Sequence, residues 1–205
     1  MIEVTYIDHM GSDLSVVNAA RVSFGKTHKA MTEGDVKLIH YLAKHKHMSP
    51  FGHAFASFHV KAPIFVARQL VKHKFLRWNE VSRRYVDDKP EFYSPNRWRG
   101  RADDKKQGSA GEVESVPVGA LKVQGYCLAA YLDLLSSGVC PEQARIVLPQ
   151  STMTEWYWSG SLDAFMDMCN LRCKPDTQYE TRLVADNIRI EMMNLFPVSV
   201  EALVI

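Results

Sequence analysis

Charge of one sign, long apolar runs, disulfide-spaced cysteines and internal repeats are all missing from this sequence, and each absence removes a class of protein. The 25 lysines and arginines nearly balance 23 aspartates and glutamates, leaving a net charge of +2. That balance argues against a nucleic-acid coat or a membrane-surface protein, while leaving room for a local basic site. No apolar run reaches the roughly 20 residues needed to span a bilayer. The N-terminus, Met1-Ile2-Glu3-Val4-Thr5-Tyr6-Ile7-Asp8, carries an acid early and has no basic segment ahead of an apolar core. It reads as a first strand and not as a signal peptide. Cys127, Cys140, Cys169 and Cys173 show no framework spacing, so reduced thiols in a cytoplasm are the expectation.

What is present is a core. Hydrophobic residues fill 46% of 205 positions, which suits one globular domain and would leave two cramped. Residues 2–8 alternate as a strand does. Ser12-Asp13 offers an N-cap for an amphipathic helix through Leu14, Val17 and Ala20. Thr32, with Asp35 three residues on, opens a second helix through Leu38, Ile39 and Leu42 toward His45. Alternation returns from His53 to Lys61, and Pro63 suits the first position of a helix carrying Ile64, Phe65, Ala67, Leu70 and Val71.

Residues 99–115 turn polar and rich in Gly, Asp and Lys, as expected of a mobile surface loop within one domain. Helical spacing from Leu121 to Leu135 stops before Gly138, and Pro141 restarts a short helix through Arg145 and Val147. Thr152 to Trp158 reads as a strand, Ser161 caps a helix reaching Asn170, and a long helix from about Asp176 to Leu195 ends at Pro197. The sum is a single α+β domain over residues 1–205, an antiparallel-rich sheet covered by a helical layer.

Chemistry concentrates between Ala67 and Tyr85. On a helix, Arg68, Gln69, Lys72 and His73 are three or four apart and share one face, presenting two cations, an amide and an imidazole together. Phosphate requires positive charge and several donors, and a pyrimidine requires amide-type partners, so a nucleotide is a natural guest. Alone, Lys72-His73-Lys74 also suits the solvated last turn of a helix. Asn79, Glu80, Ser82, Arg83 and Arg84 then follow in a stretch without clean period, which points to a binding loop.

Lys72-His73-Lys74, seven residues and Ser82, with Arg84-Tyr85 close behind, resembles the signature of the flavin-dependent thymidylate synthases, in which the first three are Arg-His-Arg. The approach from His59 to Gln69, the stretch Asn18 to Ser23, His47 to Phe51, Ala144 to Pro149, and Asn170-Leu171-Arg172 with Gln178 and Glu180 are similar to the family too. These matches run in order from about residue 12 to 182. Both signature arginines are lysines here, which keeps the charge and loses the planar fork that grips phosphate bidentately.

The resemblance implies reductive methylation of dUMP to dTMP with FAD, NADPH and methylenetetrahydrofolate, in a homotetramer with sites at subunit interfaces. It implies flavin contacts at Ser49, Lys72, His73, Lys74, Glu80, Ser161, Asp163 and Asp167. It implies dUMP contacts at Gln69, Lys72, Glu80, Ser82, Arg83, Arg84, Arg145 and Arg172. Arg172 is also the residue expected to polarise the uracil ring, favouring negative charge at N3 and O2. The bland alternative for Arg172 is a helix-terminal cation, as expected of Arg182, Asp186 and Arg189 in a surface ion-pair ladder. Ser82 has no base spaced to activate it and is assigned to binding.

Two other readings compete. His45-x-His47 with Cys169 or Cys173 could suggest zinc, but these spacings are not those of usual zinc sites, and no metal is expected. The basic, aromatic stretch from Lys72 to Arg101 could suggest a single-strand nucleic-acid binder, against which the near-neutral total charge counts. No nucleic-acid or membrane partner is therefore expected. Colour separates these readings. The purified protein is expected to be yellow, with NADPH bleaching it faster when dUMP is present, as an absorbance trace near the flavin band would record. A colourless preparation that takes up no added FAD counts against the flavoenzyme.

Overall fold

The alternation of the first strand and of the 53–61 segment places apolar side chains on one side of the backbone, and that side becomes the floor of the core. In the computed structural model, which describes residues 1–103 and 108–204, strands β1 (Glu3–Met10), β2 (Phe55–Pro63), β3 (Leu76–Glu80) and β6 (Met153–Ser161) form a four-stranded sheet. Its order is β1-β2-β6-β3, and every neighbour is antiparallel. Ala56, Phe58, Val60 and Ala62 of β2 are buried on one face, while Ser57, His59 and Lys61 stay half-buried on the other.

Helices α1 (Asp13–Arg21), α2 (Glu33–Lys44), α3 (Ile64–Leu70), α6 (Leu162–Arg172), α7 (Tyr179–Leu195) and α8 (Pro197–Leu203) supply the covering layer. Phe165 of α6 meets Phe58 edge-on at 5.2 Å and Trp158 at 5.6 Å. Such aromatic pairs add about 0.5–1.5 kcal/mol each beyond the area they bury. α4 (Val118–Ser136) and the short α5 (Pro141–Ala144) complete the helices. Among the described residues no helix is long and apolar enough to cross a membrane.

Thr32 caps α2 as its sequence suggests, with Asp35 returning the bond to the Thr32 amide. Asp35 does more than cap. Fully buried, it also accepts from Arg21 at 2.6 Å and His28 at 2.8 Å, closing the 22–32 segment onto α1 and α2. Burial alone would raise its pKa, but hydrogen bonds from His28, Thr32 and Arg21 outweigh that and hold the carboxyl well below the usual range.

Four expectations need correction. The helix after Pro63 ends at Leu70, and residues 71–75 form tight turns, so Arg68, Gln69, Lys72 and His73 do not share a helical face. Val71 caps the helix, and at the far end of the turns Phe75, with a φ of 65°, leads the chain into β3. The stretch containing Asn79 and Glu80 is not a loop but the edge strand β3, held by stacking of Trp78 on Trp156 at 4.3 Å. Of the 99–115 segment, residues 104–107 lie outside the described residues. The remainder holds the paired strands β4 (Arg99–Gly100) and β5 (Ala110–Glu112). Finally, Pro197 ends α7 but also opens α8, as proline can at a first helical position.

The start of α8 is satisfied from far away. Asp13 accepts the Val198 amide at 3.0 Å and the Ser199 amide at 2.9 Å, across 185 and 186 residues of sequence. These are charge-assisted bonds to backbone donors that would otherwise be buried and unpaired. Asp13→Ala is expected to lower unfolding stability by about 1–3 kcal/mol, read as a lower urea midpoint at unchanged slope.

Candidate active site

Two segments distant in sequence meet beside a cavity of about 790 Å3. α3 contributes Gln69, the turn behind it contributes His73, and the last residue of α6 is Arg172. α6 stops there because Cys173 leaves the helical region and the chain turns at once. Thr177 fastens that turn, donating its hydroxyl to the Leu171 carbonyl at 3.2 Å and its amide to the Lys174 carbonyl at 3.0 Å. Arg172 is thereby fixed at its root.

The half-buried Arg172 donates Nε–H to His73 Nε2 at 3.0 Å and an Nη2 proton to the Gln69 carbonyl at 3.4 Å. Both partners are neutral acceptors, and among the described residues no carboxylate forms an ion pair with Arg172. Burial lowers the pKa of Arg172 from its ordinary value, yet a guanidinium keeps its proton in proteins. The site therefore holds a partly desolvated positive charge that none of the described residues neutralises.

Since His73 accepts through Nε2, its ring is neutral with the proton on Nδ1. Burial first, and the Arg172 charge second, push its pKa down to about 4. Lys72 and Lys74, on either side, face solvent.

The cavity lining includes Phe65, Pro149 and Ser151, then Ala120, Val123 and Gln124 of α4, and residues in and beside the β4–β5 ribbon such as Trp98, Arg99 and Gly108. The ribbon sits close: a Cβ on Gly108, whose φ is +87°, would lie 2.8 Å from the Asp176 carbonyl oxygen. Only glycine suits both that backbone and that gap. Tyr93 reaches the cavity because its amide bonds the Ser151 carbonyl at 2.8 Å. Burial and the neighbouring Glu180 push its phenol up to about 12. Glu180 is buried, ion-paired with Arg99 at 2.6 Å, and accepts the Tyr93 hydroxyl at 3.3 Å.

A family model described as "Thymidylate synthase complementing protein" matches residues 5–198. A flavin-dependent thymidylate synthase of Thermus thermophilus is 45% identical over 184 residues, 89% of this chain and 68% of that protein. The chain belongs to the flavin-dependent thymidylate synthase family. The Kosmotoga olearia member is 40% identical over 97% of this chain and 88% of its own length. A crystal structure of the UMP/dUMP methylase PolB from Streptomyces cacaoi, bound with 5-Br dUMP, superposes with a TM-score of 0.89 at 33% identity, covering 98% of this chain and 94% of that one.

Within this thymidylate synthase family fold, the expected site residues fall into separate groups. Gln69 and Arg172 line the cavity, and His73 holds Arg172 from behind it. Ser49 lies in the short 3-10 turn Ser49–His53, beside the start of α6, where Ser161 occupies the cap position and Asp163 the first turn. Asp163 Oδ1 is buried with no hydrogen-bond partner among the described residues. Burial, then the Asp163 charge, raise the pKa of Asp167 one turn on. Glu80 ends β3, taking bonds from Thr154 Oγ1 at 2.8 Å and Trp78 Nε1 at 3.1 Å.

The 82–84 turn and Arg145 are not among the cavity-lining residues. Ser82 Oγ accepts from the Arg84 amide, Arg83 is paired with Asp88 at 2.7 Å, and Arg84 lies over the Tyr85 ring at 4.9 Å. Arg145 is exposed and bonded to the Glu142 carbonyl at 3.2 Å. The expected ladder on α7 is partial: Asp186 and Arg189 pair at 3.6 Å, whereas Arg182 donates to the Pro175 carbonyl. No group of three or more His, Cys, Asp or Glu side chains among the described residues is placed to hold a metal ion. Tyr93, Arg99 and Gln124 were not singled out as site residues from sequence. The structural link to them is the buried Glu180, which binds Tyr93 and Arg99 directly.

The depressed His73 pKa sets a pH window. The unfolded chain takes up this proton below about 6.5, while the folded site refuses it down to about 4. The stability contributed by the neutral ring is thus complete above pH 6.5 and is lost as the pH falls toward 4. In His73→Gln that component should vanish, so that the melting temperature drops less between pH 6.5 and pH 4 than in the native protein.

Proposed function

We infer that this chain reductively methylates dUMP to dTMP, with Arg172 as the residue that polarises the uracil ring. One observation carries the reading: a partly desolvated guanidinium, with only neutral partners among the described residues, stands at a cavity that Gln69 also lines. Carbon–carbon bond formation at C5 of uracil requires electron density in the ring, which builds negative charge at N3 and O2. A fixed cation already stripped of part of its water stabilises that charge without reorganising. A neutral His73 suits this task, because an imidazolium would repel Arg172.

The residues fit a flavin. Lys72 and Lys74 offer exposed cations for a pyrophosphate, and the buried, unpartnered Asp163 Oδ1 lacks a donor, which a ribityl hydroxyl or an adenine amino group provides and a phosphate does not. Ser49, His73, Glu80, Ser161 and Asp167 complete the proposed flavin contacts. When bound, FAD supplies the reducing equivalents drawn from NADPH, and methylenetetrahydrofolate supplies the carbon.

Gln69, Lys72, Glu80, Ser82, Arg83, Arg84, Arg145 and Arg172 form the proposed dUMP set. Because one chain leaves the 82–84 turn and Arg145 outside the Arg172 cavity, the complete set is proposed to assemble between subunits of a homotetramer. Exposed apolar side chains support that assembly, among them Tyr126 on α4, Ile146 at 79% exposure and Phe75 at 81%. A cytoplasmic setting, with no nucleic-acid or membrane partner, accords with this chemistry.

Tritium release from 5-tritiated dUMP, with folate, FAD and NADPH added, tests the reading. Arg172→Ala should cut the rate by about 10²–10³ while flavin absorbance persists. No release from the native protein, or an unimpaired Arg172→Ala, overturns it.

A further inference from the structure

Glu180 touches none of the proposed dUMP-contact residues, yet it stands at the head of the hydrogen-bond chain that orients one of them. Its side chain is 4% exposed. Oε1 takes Arg99 at 2.6 Å and Tyr93 at 3.3 Å, and Oε2 takes the Gln178 amide nitrogen at 3.4 Å. Gln178 Oε1 in turn accepts from Gln69 Nε2, and Gln69 Oε1 accepts from the Thr181 hydroxyl at 3.2 Å.

An amide can be turned over at little steric cost, since its oxygen and nitrogen ends have nearly the same shape. What forbids the turn here is the carboxylate, which only accepts. Gln178 must aim its NH2 at Glu180, so its oxygen faces Gln69. Gln69 must then aim its own NH2 at Gln178 and its oxygen at Thr181. One buried negative charge thus decides which end of the Gln69 amide donates in the cavity.

We propose that Glu180 is a positioning residue that sets base selectivity by locking the donor–acceptor polarity of Gln69 through Gln178. The inference rests on the nucleotide reading above and names its selectivity device. The free N–H of a locked Gln69 meets a ring carbonyl oxygen and refuses an exocyclic amino group. Uracil and cytosine differ at that very position: cytosine places an NH2 where uracil has O4, and an N3 acceptor where uracil has N3–H. With the lock in place the two bases are told apart at the cost of leaving donors opposed and buried. Without it, Gln178 and Gln69 turn over together and accept either base.

The test is equilibrium binding of dUMP and of dCMP to the purified, flavin-loaded protein, followed by the flavin absorbance change. The native protein should prefer dUMP. Glu180→Gln, which keeps size and removes the acceptor-only charge, should narrow the dUMP-to-dCMP affinity ratio about tenfold or more, the scale of one misdirected buried hydrogen bond. Glu180→Asp should restore most of the ratio. Gln178→Met breaks the relay while leaving the Glu180–Arg99 pair intact, and it should narrow the ratio likewise, covering the case in which Glu180→Gln does not fold. A general loosening of the cavity would weaken both nucleotides in parallel and leave the ratio in place, which overturns the proposal. Failure of the native protein to bind dUMP at all overturns the nucleotide reading and this inference together. A native protein that prefers dUMP, with an unchanged ratio in both variants, overturns the lock alone.

Discussion

Arg172 carries a positive charge that no carboxylate among the described residues neutralises, and much of the surrounding structure serves to keep it so. A buried cation ordinarily draws in a carboxylate, because leaving it bare is costly. Here the buried Glu180 of the same cavity is committed to Arg99 at 2.6 Å, and Arg172 donates to an imidazole nitrogen and a backbone carbonyl. The neutrality of His73 and the engagement of Glu180 are two parts of one electrostatic arrangement. Each costs stability locally, and the sheet and its helical cover absorb that cost by fixing the roots of α3, α6 and α7.

That division of labour explains where rigidity lies. The trunk is antiparallel sheet and aromatic packing: Trp78, Trp156, Trp158, Phe58 and Phe165 interlock with centroid spacings between 4.3 and 6.4 Å. The polar machinery hangs on element ends, at the last residue of α6, the turn after α3 and the first turn of α7. Element ends expose backbone groups and change direction, so side chains from distant segments converge there without interrupting the core.

The parts legible in the sequence were those governed by local periodicity. β1, β2 and the caps at Ser12 and Thr32 follow from alternation and spacing, and Asp35 returns its capping bond as the sequence suggested. The end of α3 was not legible, because Lys72 and His73 continue helical spacing. The turns at 71–75 that replace the helix finish in a left-handed φ at Phe75, which no pattern announces. β3 was hidden because an edge strand needs only Leu76 and Trp78 turned inward, and two apolar residues do not make a period. For the site, Arg172 and His73 could be named by resemblance, but their bond spans 99 residues and belongs to tertiary structure. Arg83, expected among phosphate ligands, is tied to Asp88 within the isolated chain, an exchange of partners that only a competing anion would expose.

The clasp between Asp13 and the start of α8 bears on how the molecule comes into being. During synthesis α1 emerges early, with a carboxylate whose partners have not yet been made. Water must serve Asp13 until the amides of residues 198 and 199 have been made, so this corner closes only after the segments from α2 to α7 are in place. The seam beside α1 is therefore sealed by a contact of very long sequence separation, the kind that forms late because its loop must close first.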